Sequence, residues 1–255
     1  MSNLRKFSAR SVILSVLLGT EPPKLPVQLL VRTTELFGIS EGTTRTALSR
    51  MTSSGEISSE DGWYELSAER HLIRQRLQIE GRHGPTKEWL NDYWVQAVVT
   101  AERRSAADRA ELRTKMSGFH MGELREGVWI RPDNLEFGNL LEHLHLTWFK
   151  VIPIDTPSDL VSKLWDLKGW NSKAGSITVR LLNQLPKLKA EDKISMRAGF
   201  ELSAEALRHL KSDPLLPTAL LPSSWKGDEL RSTYDSFDLA FRELLVHWFG
   251  IAGTI

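Results

Sequence analysis

Three stretches near the start of the chain space their apolar residues as amphipathic helices do, and a glycine closes each of them. The first begins at Ser8 and ends at Gly19, and the second, VQLLVRTTELFG, ends at Gly38. Between them, the proline-rich EPPKLP predicts a loop. The third begins after Ser40, a suitable N-cap, and runs to about Ser53. The last two helices, joined by a tight turn, form a helix-turn-helix candidate.

The third predicted helix has an apolar face and a polar face. The first carries Thr44, Ala47, Leu48 and Met51, and the second carries Thr43, Arg45, Thr46, Ser49 and Arg50. Such a narrow, partly basic face fits the major groove, about 12 Å wide, where arginine reads guanine and hydroxyl side chains contact bases or phosphates. The pattern therefore predicts a recognition helix. Short helices with a hairpin also occur in protein-interaction modules, so that alternative stays open.

A predicted hairpin follows this helix, with a strand at Ile57, a turn in SSEDG and a second strand from Trp63 to Leu66. In a winged helix-turn-helix this hairpin is the wing. It carries acidic residues, among them Glu60 and Asp61, and no basic one. An acidic wing should not lie against phosphate.

Charge and composition restrict the possible functions. The 255-residue chain has a net charge of +1, but residues 1–55 hold seven Lys or Arg against three acids, so any electrostatic footprint is local. There is no cysteine, which excludes disulfides and thiolate metal sites and suits the cytoplasm. The apolar run at residues 12–19 is too short to span a bilayer, and no cleavage site follows it. We expect a cytoplasmic protein without a membrane segment.

The whole sequence predicts an α+β protein of three parts. An N-terminal winged helix-turn-helix occupies residues 1–66, and a central ferredoxin-like βαββαβ domain occupies residues 88–155. A C-terminal helical domain follows at 156–255. A helical linker, 67–87, joins the first two and carries Arg70, Arg74, Arg76 and Arg82. These arginines indicate a solvated basic face or a strut that lies near the DNA backbone.

Few patterns point to catalysis. His143 and His145 form an HxH without a recognisable third ligand, and no GxSxG, Walker, GxGxxG or HExxH motif occurs. The predicted middle domain resembles the CRISPR-associated Cas2 nucleases, which use an acid at the end of the first strand, and Glu102 lies near that position. A metal-dependent nuclease is therefore the enzymatic alternative, although a surface acid is the simpler interpretation. We expect no enzyme, metal or cofactor.

Three segments resemble the PaaX-like family, the phenylacetic-acid degradation repressors. They are Ser8–Ala9–Arg10 with GISEGTTRTALSRMTSSGEI, then GELREGVWIRPDN at 122–134, and DPLLPTALLPSSWKGDELRSTYDSF at 213–237. The resemblance implies a bacterial repressor that binds a palindromic operator in double-stranded DNA as a homodimer and is released by an acyl-CoA effector such as phenylacetyl-CoA. Arg10, in the matching first segment, joins the candidate DNA contacts.

The effector site is not predicted. An acyl-CoA pocket needs an apolar lining and basic residues for phosphates. Tryptophans are plentiful, and the C-terminal half supplies the bases Arg180, Lys187, Lys189, Lys193 and Arg197, among which the sequence does not choose.

Overall fold

The computed structural model describes residues 7–20, 22–67, 84, 86–100, 105–136, 146–189 and 193–249. The chain divides into two compact units. Unit 1 takes the described residues within 1–79, 180–203 and 234–255, and unit 2 takes those within 80–179 and 204–233. The predicted linker helix and the second helix of the middle domain fall mostly outside the described residues, as do Glu102, His143 and His145.

Unit 1 opens with three helices whose bounds follow the sequence signals. They are α1 (Ala9–Leu18), α2 (Val27–Glu35) and α3 (Glu41–Ser53). Ser8 and Ser40 are N-caps, as predicted, because their hydroxyls accept hydrogen bonds from the third backbone N–H that follows each of them. Gly38, at φ +70°, makes the sharp turn that separates α2 from α3.

A small antiparallel sheet accompanies these helices. Strands β1 (Lys24–Pro26), β2 (Ile57–Glu60) and β3 (Trp63–Leu66) lie in the order β1-β3-β2. The predicted β2–β3 hairpin is confirmed, and Asp61 and Gly62, both at positive φ, form its two-residue turn. The loop predicted over EPPKLP is wrong at β1, because Leu25 is fully buried and proline is tolerated on an edge strand.

An aromatic cluster in unit 1 supports the turn before α3. The ring of Phe37 lies 4.8 Å from that of Phe200, and Phe7 contacts both rings edge to face. Phe200 also contacts Phe241 at 6.4 Å. Phe37 lies two residues after the end of α2, so residues more than 160 positions later along the chain help to fix the approach to α3.

Unit 2 contains a second antiparallel sheet. It is built from β4 (Trp94–Val99), α4 (Ala106–Gly118), β5 (Gly122–Arg125), β6 (Val128–Pro132) and β7 (Leu146–Val151). The strand order is β5-β6-β4-β7, so the β5–β6 hairpin inserts β6 beside β4. A capping box between Ser105 and Asp108 starts α4.

The C-terminal region is helical: α5 (Pro157–Leu164), α6 (Leu167–Lys189), α7 (Lys193–Lys211), a 3₁₀ turn (Thr218–Leu220) and α8 (Gly227–Phe249). The helical spacing in TYDSFDLAFRELLVHWFG predicts one apolar face on α8, made of Phe237, Phe241, Leu244, Leu245 and Trp248. It is confirmed for the first four, which are buried; the side chain of Trp248 is outside the described part. The apolar spacing in SITVRLLNQL predicts a helix from Ser176. Helix α6 begins nine residues earlier, at Leu167, because Trp170 and Ala174 are buried on the same face as Ile177 and Leu181.

A buried arginine joins distant segments of unit 2. Arg131 is 0% exposed, and its guanidinium donates to the carbonyls of Phe119, His120, Pro132 and Leu215 and to the side chain of Asn134. Burial lowers the pKa of Arg131 to about 9, so it remains protonated at neutral pH. Its bonds hold the DPLLP segment against β6.

Candidate nucleic-acid interface

Helix α3 has the two faces that the sequence predicted. Thr44, Leu48 and Met51 are at most 2% exposed. The five candidate DNA contacts on this helix are all exposed: Thr43, Arg45, Thr46, Ser49 and Arg50. The structure therefore places the predicted α3 residues on one accessible surface of unit 1.

Two buried hydroxyl groups fasten α3 to α2. The hydroxyls of Thr34 and Thr44 lie 2.6 Å apart and share a hydrogen bond. Both side chains can also reach carbonyl oxygens of their own helices, those of Val31 and Ser40. This contact fixes the rotation of α3 and so decides which of its residues face outward. Apolar packing alone is less directional.

The exposed face has a centre of small side chains between two arginines. At about 100° per residue, Gly42, Thr46, Ser49 and Ser53 form the middle of the face, and Arg45 and Arg50 flank it about 140° apart. Gly42 and Ser53 are not among the residues predicted from the sequence, although the same helical spacing places them on this face. Small side chains in the middle of a helix face, with basic side chains on either side, let the helix approach a polyanion closely.

The two flanking arginines differ in their surroundings. Arg45 donates to Glu41 at 2.7 Å, one turn earlier on the same helix, and both side chains are more than half exposed. Arg50 has no ion-pair partner in the part of the chain that the structure describes. An exposed pair contributes little and exchanges easily, so Arg45 can leave Glu41 for a phosphate or a base. The Glu41–Arg45 pair was detectable from its i,i+4 spacing.

Arg10 lies apart from this face, on α1. Its guanidinium makes a bidentate contact with Glu56 at 2.9 and 3.0 Å, just before β2. Bidentate pairs of this kind fix geometry, so Arg10 connects α1 to the hairpin. Glu56 is thereby neutralised. The exposed acids Glu60 and Asp61 remain at the hairpin tip, beside Trp63, which is 44% exposed.

Other candidate chemistry is sparse. Among the described residues, no group of three or more His, Asp or Glu side chains could hold a metal ion. None of the helices in these described ranges is both long and apolar enough to cross a membrane. Of the candidate effector-binding bases, Arg180 and Lys187 are exposed on α6, and Arg197 pairs with Glu201 on α7 at 3.0 Å. The side chains of Lys189 and Lys193 lie outside the described part.

Comparison with known proteins identifies the family. A model of the PaaX-like protein family matches residues 8–70, and a model of the PaaX-like protein C-terminal domain matches residues 165–248. The chain belongs to the PaaX-like family. Membership indicates a transcriptional regulator of phenylacetate catabolism. The C-terminal match includes residues 168–200, which lie outside the three segments that resemble the family in sequence.

A solved structure extends the likeness over nearly the whole chain. It is an uncharacterized protein, Rv0674, from Mycobacterium tuberculosis, 37% identical, with a TM-score of 0.72. The alignment covers 94% of this chain and 98% of that one. No curated protein matches the sequence. The similarity therefore includes the middle sheet, which neither family model reaches.

Proposed function

We propose that this protein is a DNA-binding repressor of a catabolic operon. Its α3 is the recognition helix of a winged helix-turn-helix, and an acyl-CoA such as phenylacetyl-CoA releases it from the operator. Thr43, Arg45, Thr46, Ser49 and Arg50 are the proposed contacts in the major groove. Arg10 supports the hairpin through Glu56 and reaches phosphate only if that pair opens.

The exposed face of α3 is the observation that carries the proposal. Two arginines flank small side chains on a helix whose opposite face is buried and whose rotation is fixed by the Thr34–Thr44 contact. Membership of a regulator family gives this face a biological context. The acidic hairpin tip points to a binding mode in which the wing stays away from the phosphates.

The proposed architecture has three parts at the boundaries predicted from the sequence: 1–66, 88–155 and 156–255, with the linker 67–87. The order β5-β6-β4-β7, antiparallel throughout, supports a ferredoxin-like middle domain, because that fold interleaves the strands of its two halves in this way. We further propose a homodimer. Its two recognition helices would lie about 34 Å apart, or a multiple of this, and read a palindrome.

Fluorescence anisotropy tests the proposal. The purified full chain is titrated onto labelled DNA from upstream of its own gene and onto scrambled DNA, at two salt concentrations, with and without phenylacetyl-CoA. We expect selective binding that weakens steeply with salt, because phosphate contacts release counterions. We also expect the thioester to weaken it.

Each outcome has a distinct meaning. Binding that ignores the thioester would retain the repressor and reject this effector. Absence of selective binding, also on a randomised DNA library, would contradict the DNA-binding function and favour a protein-interaction module.

A further inference from the structure

Unit 2 has an open cleft beside the start of α6. Its volume is about 740 Å³, within the range of small-molecule sites, roughly 300–1,000 Å³. One wall is the corner between α5 and α6, and the other is the segment 219–222. The lining combines polar and apolar side chains, and its apolar part includes an indole: Val161, Leu164, Trp165, Leu220, Leu221 and Pro222.

The floor of the cleft is part of a packed core. Val161 and Leu167 belong to a buried cluster with Trp94, Ile130 and Leu216, and the partly buried lining residues pack against it. The opposite wall follows closely after Leu215, whose carbonyl accepts hydrogen bonds from Arg131 and Asn134 at 3.0 and 2.8 Å. The two walls are therefore anchored by the core and by the buried arginine, as a preformed site requires.

The charges at the cleft favour an anion. Lys163 and Lys168 are in the lining, and Lys168 has no ion-pair partner among the residues that the structure describes. Lys163 contacts Asp155 at 3.0 Å in an exposed pair that exchanges easily. The lone acid of the lining, Asp166, already accepts the backbone N–H of Gly169 at 2.9 Å.

We propose that this cleft binds the effector, a small organic anion with an apolar or aromatic body. The apolar body lies against Trp165 and the leucines, and the anionic group faces Lys168 and Lys163. An acyl thioester of coenzyme A belongs to this chemical class. The inference rests on the proposed function, because it locates the site at which that regulation begins.

The position of the cleft suits a regulatory ligand. A bound molecule contacts both walls at once. It therefore favours the conformation in which the α5–α6 corner and the segment 219–222 are close enough for both to contact the ligand. Helix α6 begins at Leu167 in the cleft and continues to Lys189, and its part from Arg180 onward is assigned to unit 1. A ligand bound at the first turn of α6 therefore contacts a helix that is continuous as far as Lys189.

Calorimetry on the full chain tests the site without DNA. The probes are phenylacetyl-CoA, free coenzyme A and phenylacetate. Ala219→Trp places a large side chain in the cleft from an exposed lining position, and Thr218→Trp makes the same change at an exposed neighbour outside the lining. We expect Ala219→Trp to weaken phenylacetyl-CoA binding by about tenfold or more and Thr218→Trp to leave it unchanged.

A charge-reversed pair tests the anion. Lys168→Glu should weaken binding by about fivefold, while Lys173→Glu, exposed on the same helix outside the lining, should not. Equal binding by wild type and Ala219→Trp would overturn the assignment of the cleft, as would no binding of any probe to the folded chain. If the chain still binds DNA selectively, either of these results would reject the cleft and retain the proposed repressor function. Loss of ligand in Ala219→Trp without selective DNA binding would retain the site and reject the repressor.

Discussion

Arginines in the two units differ in exposure and in the number of hydrogen bonds that they make within the protein. On α3, Arg45 and Arg50 are exposed on a helix face and make at most one weak ion pair within the described residues. In unit 2, Arg131 is fully buried, and its donors reach four carbonyls and one amide oxygen. An arginine whose donors are all engaged inside the protein contributes to the fold, whereas one with free donors is available to a partner.

The largest expected effect comes from breaking the buried network. Arg131→Met removes the donors and leaves the partly buried carbonyls of Phe119 and His120 and the buried amide oxygen of Asn134 without them, which should cost about 3–5 kcal/mol of unfolding free energy. Urea unfolding followed by near-ultraviolet circular dichroism measures it.

A control separates burial from charge. Arg125→Met makes the same change at an exposed position of the neighbouring strand and should stay within about 0.5 kcal/mol of wild type. Arg131→Lys, which keeps the charge with fewer donors, should fall between the two. Equal stability of Arg131→Met and Arg125→Met would contradict a structural role for the network.

The same contrast explains what the sequence could predict. Helix α3 and the β2–β3 hairpin have local signals, namely Ser40 as N-cap, apolar spacing and Asp61–Gly62 in the turn, and both elements are confirmed. The partners of Arg131 depend on a segment 84 positions away, for which no local pattern exists. The start of α6 was missed because Gly169, Ser172 and Gly175 are poor helix formers; burial on the tertiary core overrides that propensity.

The candidate site divides in the same way. Its polar face follows from helical spacing and was read directly from residues 43–50. The engagement of Arg10 by Glu56 needs contact between α1 and the start of β2, 46 positions apart, and so could not be predicted. The cleft in unit 2 likewise joins segments that are distant in the chain.

The next effect concerns the exposed arginines. If they read bases, Arg50→Ala and Arg45→Ala should each cost roughly 1–3 kcal/mol of operator binding and relax specificity at one position. Their stability should be close to that of wild type, the reverse of the result for Arg131. Anisotropy on a set of single-base operator variants measures both quantities.

Two results would change this interpretation. Equal weakening on all sequences would make the residue a phosphate contact. Affinity equal to that of Arg208→Ala, an exposed arginine on α7, would remove it from the interface.

Glu41 provides a smaller and sharper test, because in the proposed complex it competes with DNA for Arg45. Glu41→Gln frees the guanidinium and removes a negative charge from the proposed interface, so DNA affinity should rise by about two- to fivefold at low salt. The gain should shrink at high salt because exposed charges are screened. Glu243→Gln, an exposed acid on α8, has the same net charge and should give no gain. A decrease in DNA affinity with Glu41→Gln would mean that the ion pair orients Arg45 toward the DNA and does not hold it away from the DNA.

The smallest effect concerns pH at the edge of the buried network. The ring of His120 donates from Nδ1 to the carbonyl of Asp213 at 2.6 Å, and burial, followed by the nearby Arg131, lowers its pKa. The ordinary histidine pKa is 6.5, and the folded chain has a lower one at His120. As the pH falls below 6.5, this ring is protonated in the unfolded chain but not yet in the folded chain. Acidification should therefore lower the unfolding free energy until the pH falls below the folded pKa.

His120→Asn should reduce this loss between pH 7.5 and 5.5. Asparagine tolerates the positive φ of 56° at this position and retains an N–H donor. Part of the slope should remain, because burial also lowers the pKa of His209. Urea unfolding at the two pH values measures the slope, and His247→Asn, exposed on α8, is the control. An unchanged slope in His120→Asn would contradict a contribution of His120 to the pH dependence of stability.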